Sequence, residues 1–505
     1  MTSRHPSVGV SGMKLYVPPY RVSLEDWCAW TGNPWDKVRS VVGKSFRVRG
    51  PHESIYTMAA NAVLRLILDY DIDPSRIGHL AFGTESSTDN SAGAVVLRGM
   101  LDEALRKHGR PPLSRHCEVP ELKHACLGGV YALKGAARYL AYDGAGRQAI
   151  VVCADIAEYA RGSTGEQTQG AGAVAMLLEE NPALFQLDLL RSGSASDYRG
   201  PDFRKPHRRH SMDGYRVGAH STRDFPVFSG RYSTLCYVDE TLRAVEDLLA
   251  RLHTAPRDLY HSVEAAFFHR PYHQMPLNAM AAMYAWGLSM AEAHHPELQS
   301  LCKAAGADFP RTLTEMKSRP DLFARVLEGR AGEEVYPESM KVVKHFRGTP
   351  KFKEILRTKM SLGSDRMMDL GNLYTAALPA WIAAGLEEAA ETGRDLDGKD
   401  LLIVGYGSGD AAEATLIQVA SRWREAARRI GFMASLESPT QLTQPQYVAL
   451  HDGKEVPDLP GVRPGSFVVD RIGESHQGDL QDIGIEYYRY VAPPTQATAP
   501  TTDPA

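Results

Sequence analysis

The chain is poor in features that would carry it into a membrane or onto a polyanion. No apolar run approaches the roughly 20 residues that a spanning helix needs. The opening MTSRHPSVGVSGMKLYVPPYR lacks the apolar block of a signal peptide, so a cytoplasmic location with no membrane partner is expected. Positive charge is not in excess: 57 Lys and Arg stand against 61 Asp and Glu, a formal net charge of −4. That balance offers no global attraction to nucleic acid, and none is expected as a partner. The six cysteines, at 28, 117, 126, 153, 236 and 302, form no CxxC pair and no Cys/His metal spacing. Neither a disulfide framework nor a metal site is indicated, and free thiols are expected. No repeat is visible in residue identity.

What is present suits a large buried core. With 505 residues and 43% hydrophobic content, the chain should fold as two or more domain-sized units. Short apolar runs predict buried strands at 78–82, 148–153, 173–178, 263–268 and 401–404. Amphipathic stretches predict helices at 54–69, 130–142, 235–252 and 373–390. The alternation is an α/β pattern. A polar, helix-prone stretch over about 291–353, punctuated by Pro and Gly, reads as a helical insertion. The Pro- and Thr-rich tail over 492–505 is expected to be disordered.

Chemistry concentrates where the predicted strands end. Cys126, in His124-Ala125-Cys126-Leu127-Gly128-Gly129, precedes a helical stretch whose free N–H groups and dipole would favour a thiolate. Gly128 and Gly129 would let backbone approach the sulfur. Glu85, in Phe82-Gly83-Thr84-Glu85, follows a strand at a position open to general acid/base work. His269, in Phe267-Phe268-His269-Arg270-Pro271, ends another and could stabilise a thiolate or hydrogen-bond a carbonyl oxygen. Tyr406-Gly407-Ser408-Gly409 offers flexible backbone N–H groups suited to an oxyanion hole. Taken singly, each also has an ordinary reading: a packed cysteine, a solvated glutamate, a structural histidine, a glycine turn.

In this order the motifs resemble the 3-hydroxy-3-methylglutaryl-CoA synthase family of thiolase-like condensing enzymes, over about residues 8–488. The resemblance implies Glu85, Cys126 and His269 as catalytic residues, with Asn372 and Tyr374 (GNLYT) and Ser408 (YGSG) beside the substrate. Asp155, Thr168 and Asp202 are further substrate-side positions it implies, and Asp213-Gly214 is another matching dipeptide. It implies a five-layer α/β/α/β/α sandwich from two similar halves, placed at 1–190 and 191–491, and a homodimer. The implied reaction joins acetyl-CoA to acetoacetyl-CoA through an acetyl-Cys126 intermediate, as at the entry to the mevalonate pathway, with no metal or redox cofactor.

Two positions depart from the family pattern: Leu127 stands where a tyrosine is usual, and Gln274 where a lysine helps hold the CoA carrier. Gln274 opens a second possibility, the same chemistry on acyl carrier protein in polyketide β-branching. The basic run Arg204, Lys205, His207, Arg208, Arg209 and His210 would suit either CoA phosphates or an acidic carrier. A decarboxylating ketosynthase would not need Glu85, and a non-catalytic scaffold would not need Cys, Glu and His together.

Overall fold

A computed structural model describes residues 7–205, 225–227, 229–475, 477, 479 and 481–493. His207 to His210, Asp213, Gly214 and all but the first two residues of the expected tail lie outside that description. The strands in chain order are β1 (Val8–Tyr16), β2 (Tyr20–Ser23), β3 (Ser45–Val48), β4 (Ile77–Gly83), β5 (Glu121–Leu122), β6 (Gln148–Ala157) and β7 (Gly170–Glu180). They continue with β8 (Phe185–Ser196), β9 (Ala265–Phe268), β10 (Asp400–Gly407), β11 (Ala411–Val419), β12 (Thr440–Gln441), β13 (Ser466–Ile472) and β14 (Glu486–Val491).

Strands β4, β6 and β10 are buried almost throughout because both of their faces are covered. Alternate residues of β6 serve two cores: Val151 and Cys153 face the helix Gly128–Tyr142, while Ile150 and Val152 face the helix Ile55–Asp69. The latter helix starts at a capping box in which Ser54 and Thr57 each accept the other's backbone N–H.

Nine strands form one sheet in the order β5-β4-β6-β7-β1-β8-β11-β10-β9. Its two sides are copies. β4 runs parallel to β6, which is antiparallel to β7, and β7 to β1. In the same sense β9 runs parallel to β10, which is antiparallel to β11, and β11 to β8. The halves join through Gly9↔Gln186 and Val10↔Phe185 alone. A Cβ on Gly9 would fall 2.1 Å from the Phe185 carbonyl oxygen, so the seam requires glycine there. The duplication invisible in residue identity is thus explicit in strand order.

Helices complete a thiolase-like layering. Ile55–Asp69 and Gly93–Lys107 cover one outer face, and Arg231–Leu252 with Gln274–Ser289 the other. Gly128–Tyr142 and Ala377–Thr392 lie between the half-sheets. The insertion is helical as expected: His295–Ala305, Phe309–Lys317, Leu322–Leu327 and Pro337–Arg347 build out from the Gln274–Ser289 helix.

A division at 190/191 falls inside β8, which pairs along most of its length with β11 of the second half. The later chain also returns to the first half. β12 pairs with β2, and Phe467 and Tyr490 of the β13–β14 hairpin enter the core beneath the helix Ile55–Asp69. Apolar contact, rather than position along the chain, sets the boundary.

Candidate active site

The ends of β4, β6, β9 and β10 and the starts of the two central helices converge on a cavity of about 340 Å³. Cys126, Thr168, His269, Asn372, Tyr374 and Ser408 all line it. Cys126 Sγ donates to Glu85 Oε2 at 3.0 Å. Ala125, just before the nucleophile candidate, holds φ +42, the left-handed region that costs a side chain energy.

The environment of Cys126 is not the thiolate-favouring one expected from its helix start. Burial, reinforced by the Glu85 and Asp155 carboxylates, pushes its thiol well above the ordinary range. Burial and the nearby Asp155 likewise raise the Glu85 carboxyl to about 8. The pair therefore holds its protons at neutral pH, with the Glu85 carboxyl in hydrogen-bond contact with the thiol. Gly128 and Gly129 serve packing instead of approach to the sulfur. An added Cβ would meet the Leu122 carbonyl oxygen at 2.7 Å or Cys153 Sγ at 2.5 Å.

Asp155, implied as a substrate contact, is fully buried and wholly engaged by protein. Its Oδ1 accepts from Thr84 Oγ1, Glu85 N, Ser86 N and Ser86 Oγ, and its Oδ2 from Thr375 N and Oγ1 at 3.0 and 2.5 Å. One carboxylate thus ties the Glu85 loop to the start of the second central helix. Asp202 likewise does not line the cavity: it sits behind Tyr406, whose hydroxyl donates to its Oδ2 at 2.8 Å.

His269 is 2% exposed, and its Nδ1 meets no partner among the described residues. Burial alone lowers it to about 3, so the ring stays neutral. That leaves hydrogen bonding to a carbonyl, one of the two roles expected, and removes electrostatic support of a thiolate. Its backbone is pinned by N–H to the Val404 carbonyl at 2.7 Å and by the Tyr237 hydroxyl at 2.7 Å.

Asn372 Oδ1 accepts the Tyr374 N–H at 2.9 Å, and Thr168 Oγ1 donates to the Gly165 carbonyl at 2.8 Å. Tyr159 and Phe203 complete an aromatic collar round Cys126 and Tyr374, with Phe203 6.0 Å from both tyrosine rings. Phe203 sits beside the matched Asp202, whereas Tyr159, and Tyr237 and Met275 at the wall, carry no motif that sequence reasoning could seize. Leu127 is buried against Gly405 and Gly407 of β10, and Gln274 does not line the cavity.

Comparison with known proteins agrees with this geometry. Residues 4–183 match the family model described as hydroxymethylglutaryl-coenzyme A synthase N terminal. The hydroxymethylglutaryl-CoA synthase of Haloferax volcanii is 27% identical over 403 residues, 79% of this chain and 81% of that protein. That of Saccharomyces cerevisiae is 28% identical over 423 residues, 81% of this chain and 74% of the relative. The chain is similar to hydroxymethylglutaryl-CoA synthases over most of its length. Among solved family members, MvaS in complex with 3-hydroxy-3-methylglutaryl coenzyme A superposes with a TM-score of 0.74 at 25% identity, over 96% of this chain and all of that one. A hydroxymethylglutaryl synthase of the curacin biosynthetic pathway, in complex with apo donor ACP, shares the fold with a TM-score of 0.69 at 19% identity, over the same shares of the two chains. Among the described residues no helix is long and apolar enough to cross a membrane.

Proposed function

We propose that the protein is a hydroxymethylglutaryl-CoA synthase that condenses acetyl-CoA with acetoacetyl-CoA. The observation that carries this is the Cys126 thiol donating to Glu85 at 3.0 Å beside His269, Asn372 and Ser408. Cys126 sulfur attacks the acetyl carbonyl, and CoA thiol leaves with the proton, giving acetyl-Cys126. Glu85 then takes a methyl proton from that acetyl group. The resulting carbanion equivalent bonds to the ketone carbon of acetoacetyl-CoA, whose oxygen receives a proton. Neutral His269 donates a hydrogen bond to that ketone, and backbone N–H groups of Cys126 and the Ser408 turn cradle the developing oxyanion. Water releases the product from the thioester. No step calls for a metal or redox cofactor, and a cytoplasmic homodimer at the entry to isoprenoid synthesis fits this chemistry.

Gln274 favours a second reading, in which the acyl groups arrive on carrier protein. Steady-state assays with free CoA substrates decide between them. Efficient turnover, with KM between about 1 μM and 1 mM and unaffected by charge reversal at Arg208 and Arg209, supports the CoA reading. Poor CoA turnover, with salt-dependent loss of a protein-linked reaction in those variants, overturns it.

A further inference from the structure

Behind the cavity wall lies a second buried acid pair. Asp202 is 0% and Asp410 3% exposed. Asp202 Oδ1 and Asp410 Oδ2 each lack a donor among the described residues, and the two carboxyl groups lie within 4.8 Å of one another on either side of one Tyr406 hydroxyl. Two buried carboxyls this close, each with an acceptor that no donor reaches, are reconciled by a proton held between them. The surroundings demand the same. Arg199 lies 3.8 Å from Asp410 Oδ2, but its charge is already shared with Asp239 at 2.8 Å, Glu240 at 2.9 Å and Asp197 at 3.4 Å. Arg243 also faces Asp239, at 3.1 Å. From the helix Arg231–Leu252, Cys236 places its sulfur within 4.8 Å of both carboxyls, and Tyr232 faces Cys236. Among these described residues carboxylates outnumber cations, which favours one acid staying neutral.

We infer that Asp410 is a positioning residue that works as a neutral carboxylic acid, donating its proton to Asp202 and so fixing the oxyanion-side wall of the active site. The route is short. The Tyr406 hydroxyl lies 2.8 Å from Asp202 Oδ2 and 3.0 Å from Asp410 Oδ1, and Gly409 N–H donates to Asp410 Oδ1. The Tyr406 ring lies nearly parallel to His269, at 24° with centroids 6.4 Å apart, and lines the cavity with Ser408. The shared proton therefore holds both the aromatic support of His269 and the turn that carries Ser408. Burial and the Asp202 charge raise the Asp410 carboxyl to about 9. Its ionisation would set two buried carboxylates against each other and release the turn.

The assignment rests on the thioester chemistry proposed above, and its test is built so that the two can fail separately. Infrared difference spectra of the whole protein report the proton itself. A buried carboxylic-acid carbonyl stretch distinct from that of Glu85, which is assigned by its loss in Glu85→Gln, should vanish on titration through about pH 9 and be missing in Asp410→Asn. Acetylation of Cys126 by acetyl-CoA, read by mass spectrometry, reports the consequence. Wild type should lose rate on the alkaline side. Asp410→Asn, which keeps a donor toward Asp202 that cannot ionise, should lose that alkaline limb. Asp410→Leu should acetylate about 10- to 100-fold more slowly. If that variant fails to fold, Asp410→Asn and the wild-type titration still decide. An unchanged acid band or an unchanged alkaline limb in Asp410→Asn overturns the inference. So does a stoichiometric divalent cation, removed by chelator with loss of activity, which would make Asp202, Cys236 and Asp410 its ligands. A protein inert to acetyl-CoA that still shows the band fails only the proposed function.

Discussion

Thr375 occupies in the second half the place that Cys126 occupies in the first. Each directly follows a residue of positive φ, Ala125 at +42° and Tyr374 at +45°, and each stands two residues ahead of a central helix. The duplication thus gave rise to two strained helix entries. One presents a thiol to the cavity; the other turns its hydroxyl onto Asp155, the carboxylate that holds the Glu85 loop.

Acetylation should fall on Cys126 alone. Incubation with labelled acetyl-CoA and peptide mapping should place the label there, and Cys126→Ser should remove it. Label on Cys117 or Cys153 would sink the assignment.

Loss of the Glu85 carboxylate should spare acetylation and stop condensation. Glu85→Ala leaves the Cys126 thiol in place while deleting the base for the methyl proton. Condensation should fall by about 10²–10⁴, with acetyl-enzyme still detected. Near-normal condensation removes Glu85 from the mechanism.

The condensing step should quicken as pH rises through about 8, where the Glu85 carboxyl passes from acid to base. Below that pH the group is protonated and cannot take the methyl proton. Single-turnover rates from pre-formed acetyl-enzyme check the sign; a rate that falls over this range contradicts it.

His269 should stay neutral throughout the physiological range, since burial alone lowers it to about 3. Its ring resonances in NMR, assigned by loss in His269→Ala, should not titrate between about pH 5 and 8. The same variant should weaken use of acetoacetyl-CoA more than acetylation. A ring titrating near 6.5 would mean that the site is wetter than described.

Asp155→Asn should destabilise the fold as well as slow the reaction, because an amide nitrogen would confront donors that now meet an oxygen. A loss of about 1–3 kcal/mol is expected by urea unfolding. An unchanged midpoint with lost activity would return Asp155 to the substrate.

Glu85 and His269 were legible because each follows a short apolar segment, where strand ends of α/β sheets gather functional side chains, and Cys126 because it stands just ahead of a helix start with flanking glycines. Their ionisation was not legible, since it depends on burial and on neighbours from distant segments. Asp155 looked like a ligand for the same reason: its partners Ser86 and Thr375 lie 69 and 220 residues away. Asp410 follows a glycine in what reads as a plain turn, and only the fold sets Asp202 beside it. Strands β1, β8 and β11 escaped notice because small and polar residues interrupt their apolar pattern.

The β13–β14 hairpin closes over helices made some 400 residues earlier, with Phe467 N–H donating to Asn61 Oδ1. A growing chain therefore cannot finish its first half when that half has been synthesised. Helices Ile55–Asp69 and Gly93–Lys107 must wait, with apolar surface uncovered, until the end of translation. Vectorial folding is denied to this architecture, and nascent chains halted before residue 466 should bind chaperones that released full-length protein does not.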